Sequence, residues 1–192
     1  MIFQSEREDV IRLSYIRMDH EISCLLGWLR TFPLQYQVSP ECLLSLSVRL
    51  TTVMLQATSP SDLSDGLALA EVLVQIEPAT FTPTWFAGLL KSAKSNLETL
   101  DTLLNMLLHY YTHNLTEDCI AGNLPVPDLS SQSEQNIGLN NISSFLKLIL
   151  GVAVTCSNKV LFISKIQSLD ENTQHALTAC IVSFISTKVG NR

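Results

Sequence analysis

The stretch Ile142–Cys156, ISSFLKLILGVAVTC, is apolar on nearly every side when wound at the helical period. A helix with no face for water must be covered all round by other elements. A membrane is not the expected cover. The run holds Lys147 and falls short of the ~18 uninterrupted apolar residues that a span requires, as does every other stretch. The chain must therefore supply the shell itself, and its other apolar residues repeat with helical rather than strand period. The expected fold is all-α, with roughly six to eight helices around one core. At 192 residues, 46% of them hydrophobic and 16% charged, the chain can bury such a core.

The flanking segments carry helix signals of their own. Glu21–Phe32 reads as an amphipathic helix with Leu25, Trp28, Leu29 and Phe32 on one side, ended by Pro33. A buried helix begins near Asp65 and stops near Pro78. Thr82-Pro83 pairs an N-cap with a first-turn proline. Ser95 and Glu98 form an S-x-x-E box ahead of a long helix striped by Leu100, Leu103, Leu104, Leu107, Leu108 and Tyr111. Ser157 is the expected cap of NKVLFISKIQ, and Ser168 with Glu171 forms a second box that opens the last helix.

Charge and composition narrow the function. Twelve Lys and Arg against 18 Asp and Glu give a net charge of −6, so a general nucleic-acid binder, which needs clustered cations, is not expected. Lys91 and Lys94 lie close in sequence, and Lys147, Lys159 and Lys165 could converge on folding, but an ordinary solvated surface explains them as well. The five cysteines are scattered, with no C-x-x-C, and read as reduced core thiols of a cytoplasmic protein. His109 and His113 share a helical face, yet the glutamate of H-E-x-x-H and a third ligand are missing, so they read as a solvated or half-buried histidine pair. No nucleophile elbow, P-loop or dinucleotide fingerprint occurs. Neither an enzyme, a metal nor a cofactor is expected.

The last helix carries two seams. Projected at 100° per residue, Thr173, Leu177, Cys180 and Phe184 fall on one side, a normal strip for docking on the core. Gln174, Thr178, Ile181 and Ile185 form a second strip roughly a right angle away. Periodicity leaves two readings of that strip: buried internally with Gln174 satisfied inside, or open to a partner with Gln174 as its polar anchor. His175 faces away from Leu177, toward solvent.

These blocks resemble a known family. DLSDGLALAEVLVQIEPATFTPTWF, LKLILGVAVTCSNKVLFISKIQSL and DENTQHALTACI, with LLGWLRTF, HYYTHNL and LPVPDL in order, resemble the N-terminal domain of Hook proteins, adaptors that link cytoplasmic dynein to cargo. IQSLD also looks like the related girdin-like proteins. The resemblance implies a calponin-homology-like helical domain at 21–166, with an N-terminal extension at 1–20 and an atypical insertion at 33–61. An additional C-terminal helix at 167–188 packs on that domain. It also implies a groove for a helix of the dynein light intermediate chain, contacted through a glutamine and an isoleucine seven residues on, here Gln174 and Ile181, with Thr178 and Ile185 on the same strip. KSAKSN stands where the family has a longer basic segment, so microtubule binding is expected to be weak. A cytoskeletal module that binds microtubules without dynein is the alternative. Cytoplasmic, cytoskeleton- or centrosome-associated placement follows from the resemblance. Dimerisation would require the family's coiled coil, which lies outside these 192 residues.

Overall fold

The computed structural model describes residues 18–33, 59–92, 95–114, 124–130 and 137–185, the side chains of 184 and 185 excepted. They form seven α-helices, with no strand among the described residues: α1 (18–29), α2 (Leu67–Ile76), α3 (Pro83–Ser92), α4 (Asn96–Asn114), α5 (Leu139–Thr155), α6 (Lys159–Gln167) and α7 (Glu171–Ile185). A 3-10 turn, Pro60–Leu63, precedes α2.

Helix α5 is the axis of the fold. Phe145, Leu146, Leu148, Ile149, Leu150, Val152 and Ala153 are all fully buried. Helices α2, α4, α6 and α7 and the 3-10 turn all pack against it. Burying each large aliphatic or aromatic side chain here contributes about 1.5–3 kcal/mol before the entropy of ordering is counted. The shell contributes matching faces. On α1, Leu25, Trp28 and Leu29 are buried, and Trp28 meets Phe32 edge-on with ring centroids 5.2 Å apart. Phe32 in turn stacks on Phe162 of α6 at 5.8 Å. The LPVPDL loop is tied down by Asn141, whose amide donates to the Asp128 carbonyl at 2.8 Å and accepts from the Asp128 N–H at 3.1 Å.

Several local signals perform as expected. Thr82 Oγ1 accepts from the Trp85 N–H at 3.1 Å, and Ser95 Oγ accepts from the Glu98 N–H at 3.2 Å, capping α3 and α4. Others are corrected. The first helix starts by residue 18 and ends at 29, so the division at 20/21 cuts through it, and Arg30–Phe32 form turns. Asn158, not Ser157, is the N-cap of α6, and it makes no side-chain cap bond. Ser168 does not cap α7. Its hydroxyl donates to the Lys165 carbonyl at 2.7 Å and closes α6, while Asp170 Oδ1 accepts from the Thr173 N–H at 3.0 Å. A carboxylate two residues nearer the helix captures that donor better than a more distant hydroxyl. Most of the 33–61 segment, like Lys94, Cys42 and Cys119, lies outside the described residues.

Candidate partner-binding site on the last helix

Helix α7 begins where Asp170 turns the chain out of α6. The cap bonds hold the Asp170 carboxyl below its ordinary value, because hydrogen bonds to the ionised form favour it. Leu177 and Cys180, both buried, press the helix onto α5. Burial, reinforced by the Glu21 charge, pushes the Cys180 thiol up to about 11. Cys24, Cys156 and Cys180 are free and buried, as the composition suggested for core thiols, and burial also raises the Cys156 thiol.

Among the described residues, none seals the strip a quarter-turn from this seam. Thr178 is exposed, and Gln174 and Ile181 are half-buried, with Ile181 touching the margin of the core. Ile185 is helical, but its side chain lies outside the described residues. Gln174 reaches back across the corner. Its Nε2 donates to the carbonyl oxygens of Gln167 at 3.0 Å and Leu169 at 2.7 Å. Both N–H groups of the amide therefore fasten the α6–α7 turn, and the side-chain oxygen is the atom left to accept from elsewhere. The amide nitrogen is thus satisfied within the turn, while Thr178 beside it is exposed among the described residues.

Periodicity alone did not single out Val182, four residues beyond Thr178 and 50% exposed. It extends the apolar part of the strip, and its i+4 relation to Thr178 was the available signal. On the other flank of α7, a cleft of about 340 Å³ lies against the start of α1, lined by His20, Glu21, Asn172, His175, Ala176 and Ala179. His175 is exposed as expected, with Glu171 at 3.7 Å. Glu21, in the lining of the cleft, accepts from Ser143 Oγ at 3.1 Å and pairs with Lys147.

Two of the three lysines that could have converged are engaged separately. Lys147 pairs with Glu21. Lys165 Nζ donates to the Thr31 carbonyl at 3.1 Å and lies 4.3 Å over the Phe32 ring. Burial holds its ammonium below the ordinary lysine value. Lys159 stays exposed. No helix among the described residues is long and apolar enough to cross a membrane, and the apolar α5 is covered by its own shell.

Comparison with known proteins decides the family. The HOOK domain profile matches residues 41–183, which include α2 to α6 and most of α7. This chain belongs to the Hook family. Mouse Hook homolog 2 is 32% identical over 166 residues, 84% of this chain and 20% of that protein. The Hook homolog of Branchiostoma floridae is 32% identical over 167 residues, 85% of this chain and 20% of the relative. The chain thus spans about a fifth of the length of the curated relatives it matches. The Hook fold is matched as well. The solution structure of a conserved domain of the mouse HOOK1 protein superposes with a TM-score of 0.60 at 27% identity, covering 87% of this chain and 91% of that one. The all-helical, calponin-homology-like fold expected from the sequence is the one found.

Proposed function

We propose that this Hook-family chain is a non-catalytic recognition module of a cytoplasmic dynein adaptor. It takes an amphipathic helix of the dynein light intermediate chain along the flank of α7 that carries Gln174, Thr178, Ile181 and Ile185. The observation that carries this reading is the open flank itself: Thr178 exposed between half-buried Gln174 and Ile181, with Val182 beside them. A helix laid on such a surface gains from apolar anchors and from a few polar contacts that set its register. The Gln174 side-chain oxygen supplies one acceptor for that purpose, held in place by the bonds its nitrogen makes to the turn.

A direct microtubule-binding face has less support, because Lys147 and Lys165 have intramolecular partners and the chain is acidic overall. The test is a pull-down with the light-intermediate-chain helix, comparing wild type with Gln174→Ala and Ile181→Ala. Retention falls by about tenfold for Ile181→Ala, the effect of removing a central apolar anchor worth about 1–2 kcal/mol. Equal retention by all three proteins contradicts the reading.

A further inference from the structure

We propose that His109 and His113 form an open two-histidine site for a late first-row divalent metal ion on the outer face of α4. The two residues lie one helical turn apart and both are exposed. Their rings stand 4.0 Å apart, centroid to centroid, and 20° from parallel. Nδ1 of His113 is 2.9 Å from the His109 carbonyl oxygen. A carbonyl oxygen only accepts, so Nδ1 carries the proton and donates it. In the neutral ring the lone pair is then fixed on Nε2. A hydrogen bond from one ring nitrogen that orients the other is how proteins prepare imidazole for a metal. Thr112 Oγ1, 3.2 Å from the same Nδ1, adds a second restraint on the ring.

The spacing suits one ion. Two imidazole nitrogens, each about 2.1 Å from a metal, stand at most about 4.2 Å apart. In the stacked arrangement the ring planes are nearly parallel, so to share an ion the rings must turn about their side-chain torsions until their nitrogen lone pairs converge. Among the described residues no group of three His, Cys, Asp or Glu side chains comes together, so water completes the coordination shell. An all-imidazole donor pair selects copper, nickel or zinc over magnesium or calcium, which require oxygen ligands. The sequence led to the expectation of no metal at these histidines, and the proposed chelate departs from it.

The test is calorimetric titration of Ni²⁺, which leaves thiols unoxidised, into the intact chain at neutral pH. Wild type is compared with His109→Ala, His113→Ala and His175→Ala, each checked for helicity. Wild type binds one ion, and either substitution in the pair weakens binding by on the order of 10²-fold, the gain that a tethered second arm confers. His175→Ala binds as wild type does. No binding by wild type, or the same affinity in all four proteins, overturns the assignment, and so does an equal loss in His175→Ala.

Discussion

Gly151 sits where α5 passes the Tyr111 hydroxyl, which donates to the Leu148 carbonyl at 2.6 Å. A Cβ at position 151 would overlap that hydroxyl oxygen, whereas the ring carbon behind it lies 3.3 Å away. The glycine is therefore required by a residue forty positions earlier, which no local pattern in LILGVAV could reveal. Gly151→Ala should destabilise the domain by about 1–3 kcal/mol through overpacking. Tyr111→Phe should cost about 1 kcal/mol for the lost hydrogen bond. The double variant should be more stable than the sum of the two predicts, by about 1 kcal/mol, because removing the hydroxyl makes room for the methyl group. Urea unfolding of all four proteins measures the coupling, and strict additivity contradicts this packing. Cys180 gives a pH signature at the same scale. Its folded thiol is raised from 9.0 to about 11. Below pH 9 both states are neutral and the stability is fully present; between 9 and 11 only the unfolded state ionises, so stability falls as pH rises through that window. Burial raises Tyr110 and Tyr111 as well, which extends the decline upward. Urea midpoints should drop from pH 9 to 11, and a flat profile would contradict the burial of these groups.

Among the elements, α7 separates what holds a helix in place from what it offers outward. Its core seam was legible because Leu177 and Cys180 fall on one side at helical period and both are buried. Its start was misplaced because Ser168 and Asp170 both have cap chemistry, and only the folded chain reveals that the serine closes the preceding helix. Its second strip was half legible. The wheel placed Gln174, Thr178 and Ile181 together, but not the Gln174 bonds to Gln167 and Leu169, which cross a turn whose geometry the sequence does not encode locally. Two substitutions separate the seams. Leu177→Ala should cost about 2–5 kcal/mol by leaving a cavity against α5. Thr178→Arg, at an exposed position, should leave the melting temperature within about 2 °C of wild type. Thermal melts of both variants check the pair of outcomes, and a large loss for Thr178→Arg would mean that the strip is internal after all.

At the scale of the whole molecule, one largely apolar helix dictated the architecture, since α5 is covered by a shell of helices. That constraint is why the fold class was readable from composition and period. What the shell does with its charges was not readable. Lys147 and Lys165 reach α1 and its following turn by contacts more than a hundred residues long, so no basic face assembles from them. The two flanks of α7 also differ in a way that sequence could not foresee. One is the mildly apolar strip with Thr178 at its centre, and the other opens on the cleft lined by His20, Glu21, His175 and Ala179. The central claim concerns which flank receives the partner. Fluorescence anisotropy of a labelled light-intermediate-chain helix, titrated with wild type, Thr178→Arg and Ala179→Arg, tests it most directly. The account predicts that Thr178→Arg weakens binding at least about tenfold, a loss of about 1.4 kcal/mol, while Ala179→Arg binds as wild type does. Unimpaired binding by Thr178→Arg, or loss confined to Ala179→Arg, would contradict it.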